Sequence, residues 1–134
     1  MLPGGQGLWT SSGRSALTGG RMSPKVALDF LKEALAHKRN LVVAAGARKG
    51  RDRLGLDSYD QDEVLGALRE EYLESVKPGK RVVGYHYSWK IPWRVPDEAG
   101  ISERDCLIYV KFRIPPDESF VELASFKEDG AAWV

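Results

Sequence analysis

The sequence holds one cysteine, Cys106, and two histidines, His37 and His86. A lone cysteine excludes an intramolecular disulfide and any cysteine-based zinc site, and it suits a reducing compartment. With so few nitrogen and sulfur ligands, no metal centre is expected. No apolar run approaches the ~20 residues of a membrane-spanning helix, and no charged stretch followed by an apolar segment marks a signal peptide. The expectation is a cytoplasmic protein with no membrane partner. Phosphate loop, dinucleotide fingerprint and nucleophile elbow are all missing, so no cofactor is expected either. At 134 residues the chain is too short for separate cofactor and substrate modules, and one core is expected.

Charge of one sign is also lacking overall, since the net value is +1. Counting by segment changes the picture. Residues 22–54 carry eight basic side chains and three acids, whereas residues 55–76 carry seven acids and one arginine. Residues 77–113 return to eight basic groups against four acids, and the end of the chain is acidic. Such alternation can build a polarised surface under a neutral total.

Residues 1–21 are rich in Gly and Ser, lack acids and show no apolar period, so they read as a disordered leader, with Met22 as an alternative start. Residues 22–134 then form the single working domain. Ser23-Pro24 reads as a helix start, and Ala27, Phe30, Leu31, Ala34 and Leu35 supply a buried stripe that ends near Lys38 to Asn40. Leu41-Val42-Val43 reads as a brief strand. Ala44 to Leu54, with Gly46 and Gly50 inside it, reads as a loop or a weak helical turn.

Ser58-x-x-Gln61 has the capping-box pattern, and Val64, Leu65, Leu68, Tyr72 and Val76 give the stripe of a second long helix. Helix capping accounts for the acids of this block without a metal. Lys77-Pro78-Gly79-Lys80 should break that helix. Strands are expected at Arg81 to Tyr87, at Trp89 to Val95 as an edge or irregular strand because of Pro92, and from Ser119 to Lys127. The clearest strand is Cys106 to Ile114, where apolar residues alternate with Leu107, Tyr109, Lys111 and Arg113. The fold class is α+β, with N-terminal helices on one face of an antiparallel sheet of about four to five strands.

Chemistry concentrates in the C-terminal half, where aromatic and basic residues interleave. Tyr85, Tyr87, Trp93, Arg94, Arg113 and Lys77 are candidate RNA-binding residues, because cations track a phosphate backbone while aromatic faces stack on unpaired bases. Trp89 and Trp93 suit core or edge positions as well. Tyr109 and Lys111 share the polar face of their strand.

Several segments together resemble the MqsR family of bacterial toxins. They are Leu54-Gly55-Leu56-Asp57, Val64-Leu65-Gly66-Ala67-Leu68, Trp89-x-x-x-Trp93-Arg94, Leu107-Ile108-Tyr109-Val110-Lys111-Phe112 and Ser125-Phe126-Lys127-Glu128. The resemblance spans roughly residues 24–129, in order. It implies a RelE-like fold, metal-independent cleavage of single-stranded mRNA, and a cognate antitoxin as protein partner; contact with DNA would come only through the complex with that antitoxin. The family's strand tyrosine falls on Tyr109 and its terminal lysine on Lys127, while its glutamine falls on Lys90 and a further lysine on Glu74, with Lys77 as the nearby substitute.

Cleavage of RNA without a metal needs a base for the ribose 2′-OH, positive charge at the phosphate and an acid for the departing 5′-oxygen. The expected catalytic set is Lys127, Lys90 and Lys111 around the phosphate, Tyr109 in proton transfer or positioning, and His86 as a further acid or base. The alternative is a noncatalytic RNA- or protein-binding module of the same fold.

Overall fold

The computed structural model describes residues 22–130; the leader expected over residues 1–21 lies outside them. The described chain is α+β, with three α-helices and a five-stranded mixed sheet. In chain order the elements are α1 (Pro24–Ala36), β1 (Leu41–Val43), α2 (Ala45–Arg53), α3 (Ser58–Gly66), β2 (Leu73–Pro78), β3 (Tyr85–Pro96), β4 (Glu103–Ile114) and β5 (Val121–Glu128). The spatial order is β1-β5-β4-β3-β2. Neighbours are antiparallel except β1, which runs parallel to β5, so the all-antiparallel expectation is corrected at that edge.

Helix α1 begins as its sequence predicts. The Ser23 side chain accepts a hydrogen bond from the Val26 amide, and Pro24 occupies the first turn, where its missing N–H is no loss. Ala44 to Leu54 proves to be mostly helix. Its two glycines weaken the local signal, but α2 gains from tertiary contact with β5, and Gly50 is buried there.

The second long helix is shorter than its periodicity suggests. A capping box does open α3, but Asp57 is the cap and Asp60 its partner, in place of Ser58 and Gln61. The helix stops at Gly66, a turn of 3₁₀ helix spans Glu70–Tyr72, and Val76 and Lys77 belong to β2. Leu68, Tyr72 and Val76 still pack on the core, so burial at those positions is right while the backbone carrying them differs. Pro78 closes β2 rather than breaking a helix.

The two strands expected on either side of Ser88 are one continuous strand. β3 runs through Pro92, and β2 ends opposite Trp89, so Pro92 sits where β4 is the only neighbour and its missing donor is tolerated.

Odd-numbered residues of β3 and even-numbered residues of β4 share the inner face: Trp89 pairs with Val110 and Tyr87 with Phe112. These join Leu31, Ala47, Val64, Leu65 and Leu123 in one hydrophobic cluster. Phe112 stacks between Tyr87 and Trp89 with centroids 5.7 Å apart on each side. Along β5 the inward residues change parity. Val121 and Leu123 face in, and then a bulge at Ala124 lets Phe126 face in, because Lys111 pairs with Ser125 while Phe112 pairs with Leu123.

β1 accompanies β5 only along Val121–Leu123, and α2 covers the edge beyond it. That approach needs Gly50. A Cβ there would overlap the Phe126 carbonyl oxygen and stand 3.0 Å from Lys127 Cβ.

Candidate functional site

The outer face of the sheet is set by the same register. Its central row places Lys90 opposite Tyr109 and Tyr109 opposite Lys127; the next row places Ser88 opposite Lys111 and Lys111 opposite Ser125. The bulge at Ala124 is what turns Lys127 outward, since unbroken alternation from Leu123 would send it into the core. Tyr109 is therefore held at three points. Its hydroxyl lies 3.0 Å from Ser88 Oγ, the Lys127 ammonium stands 5.9 Å from the centre of its ring, and its backbone is fixed between two partner strands. The ring and the ammonium are within the range of a cation–π contact.

Lys111 and Lys127 are near enough to act on each other. Burial, and then the charge of Lys127, push the Lys111 ammonium below the ordinary lysine value of 10.5. His86 occupies the next position of β3, opposite Arg113. Burial, followed by the charges of Lys111 and Arg113, lowers its pKa against a raising influence of Glu122, which favours the neutral imidazole.

Three further cations on this face meet carboxylates. Lys90 bridges Glu74 at 3.2 Å and Asp129 at 3.6 Å, and these carboxylates raise its pKa. Glu74 stands at the bulge of β2, which brings it against β3. Glu74 and Lys90, each set against its neighbour across β2 and β3, thus form an ion pair with each other. Arg113 donates to Glu122 and to the Val83 carbonyl, and Arg94 meets Glu103 and Asp105. Lys77 is exposed and lies opposite His86.

Three of the expected RNA-binding residues lie on the other side of the sheet. Tyr87 is buried in the core, and its hydroxyl accepts from the Met22 amide and donates to the Met22 carbonyl. Tyr85 and Trp93 are partly buried against the same core. The physical reason is parity: each shares the phase of Trp89 and Ile91, and β3 has a single apolar face. Arg94, Arg113 and Lys77 are on the outer face.

Ser88 and Ser125, both buried among these larger side chains, complete the site and were missed by sequence reasoning. Only the strand pairing reveals that Ser88 meets Tyr109. Among the described residues, no three His, Cys, Asp or Glu side chains are placed to hold a metal, and no helix is long and apolar enough to cross a membrane. No family model, curated protein or solved structure matches the chain.

Proposed function

We propose that this chain is a metal-independent endoribonuclease of the toxin type, with a RelE-like fold, acting on single-stranded mRNA in the cytoplasm and restrained by a cognate antitoxin. The observation that carries the proposal is the outward cluster of Tyr109, Lys111 and Lys127 on adjacent strands, with the tyrosine hydroxyl anchored at Ser88. These residue types can supply the proton transfer and positive charge that metal-free phosphodiester cleavage requires, and they are joined by register rather than by closeness in sequence.

In the proposed reaction the neutral amine of Lys111 takes the proton of the ribose 2′-OH. The 2′-oxygen attacks phosphorus, the bond to the 5′-oxygen breaks, and Tyr109 gives that oxygen its proton. Lys127 offsets the negative charge that grows on the phosphoryl oxygens. The products are a 2′,3′-cyclic phosphate and a 5′-hydroxyl. Lys90, bound to two carboxylates, orders the end of the site next to Tyr109 and adds little net charge.

The experiment is incubation of the purified protein with a long RNA in EDTA, alongside Tyr109→Phe and Lys127→Ala. The expected result is cleavage with a cyclic phosphate end, reduced about 10²- to 10⁴-fold in each variant. RNA that stays intact while the wild-type protein binds it would refute the enzyme and leave the noncatalytic binding module.

A further inference from the structure

Helix α2 was not among the elements expected to meet RNA, yet it lies against the strand that carries Lys127. Gly50 fixes the contact, since its α-carbon faces the Phe126 main chain and Lys127 Cβ. An α-helix turns about 100° per residue, so Ala47 and Leu54, both buried, lie to one side of Gly50, and Lys49 and Arg53 to the other. The first side leads into the core. The second leads over the β5 edge to the face bearing Lys127 and Lys111.

Lys49 and Arg53 are exposed, and neither forms an ion pair or hydrogen bond among the described residues. Arg51, by contrast, is turned inward, donating to Gln61 and to Asp52. Of the helix's four cations, Arg51 is structural, exposed Arg48 lies on the face turned away from β5, and Lys49 and Arg53 lie on the flank nearest the site. Asp52 is the helix's only acid.

We propose that single-stranded RNA leaves the Lys111–Lys127 site across the β5 edge and that Lys49 and Arg53 bind its phosphates. This inference rests on the RNA reading of the outer face but not on catalysis. Charge complementarity selects the ligand: two exposed cations on one helical flank, continuous with two lysines close enough to repel, match a chain with regularly spaced negative charge. Because Gly50 locks the helix to the strand, the cations are held in fixed relation to the site, where a loop would let them wander.

The test uses a fluorescent 2′-O-methyl RNA, which binds as RNA but has no 2′-OH to attack. Its affinity is measured across a salt series for the wild-type protein, Lys49→Gln, Arg53→Gln and the double variant. Each lost phosphate contact should reduce the slope of log K against log salt by about 0.7, so the double variant should lose about 1.4. On cleavable RNA the double variant should raise KM and keep kcat. Lys25→Gln, on α1 and paired with Asp29, is the control, and its slope should not change.

An unchanged slope in the double variant overturns the inference, and so does an equal loss in the control. So does a wild-type protein that binds none of the probe. A double variant that instead loses binding to polyglutamate, with its RNA slope intact, overturns it in favour of an acidic protein partner. Wild-type protein that binds RNA without cutting it refutes the nuclease alone and leaves the slopes fully readable.

Discussion

Replacing Gly50 by alanine should destabilise the protein although it improves the helix. In an exposed helix the change would gain about 1 kcal/mol, because alanine loses less backbone freedom on folding. Here the added Cβ would overlap the Phe126 carbonyl oxygen, with the Phe126 carbonyl carbon at 3.1 Å and Lys127 Cβ at 3.0 Å. Those atoms belong to a strand paired with β4, so they cannot swing aside as the end of a side chain can. The helix must retreat, loosening Ala47 and Leu54 from the core. Overpacking of this kind costs about 3 kcal/mol, which leaves a net loss of about 2 kcal/mol. With a urea m-value of about 1.5 kcal/mol/M, the midpoint of unfolding should fall by about 1.3 M at unchanged m. Gly66→Ala, at a position with nothing within 4 Å of a new Cβ, should instead stabilise by about 0.5–1 kcal/mol. A Gly50→Ala protein as stable as wild type would refute the close approach of α2 to β5.

Two further outcomes follow from individual side chains. Tyr87→Phe leaves the Met22 amide and carbonyl without their buried partner, so unfolding by urea should show a loss of about 1–3 kcal/mol, while RNA affinity of the folded variant stays that of wild type. The proposed base sets a pH dependence. Lys111 must be neutral to accept a proton, so single-turnover cleavage should rise with pH along a limb centred below 10.5. Lys127→Gln removes a charge that holds that pKa down, and the residual activity should therefore show the limb at higher pH; an unmoved limb would exclude Lys111 as the base.

Much of the fold can be read locally, and the failures have physical causes. The alternation from Cys106 to Ile114 is legible because β4 has one buried face, and period-2 burial leaves a trace in every residue. Tyr72 and Val76 mislead because spacings of three and four residues also arise when a turn and a bulged strand deliver side chains to the same core. Gly50 misleads in the opposite direction: a residue that weakens a helix in isolation is what allows this helix to dock. At the site, Tyr109, Lys111 and Lys127 are visible as polar residues of strands. Ser88 is not, since a serine between two core aromatics carries no signal until the register with β4 is known.

The near-neutral total charge conceals where positive potential can act. Three outer-face cations are matched by acids: Lys90 by Glu74 and Asp129, Arg94 by Glu103 and Asp105, and Arg113 by Glu122, while Lys77 of β2 stands exposed. Pairs of this kind cancel the local field, and the exposed ones among them contribute little to stability. Lys127 raises the cost of charging Lys111, and the flank of α2 beside β5 adds Lys49 and Arg53. A polyanion arriving at this sheet would be drawn off-centre, toward β4, β5 and α2. The Tyr109 hydroxyl is held on the other side of its own strand, toward Ser88 of β3, so a substrate drawn to Lys127 reaches that hydroxyl across the Tyr109 ring.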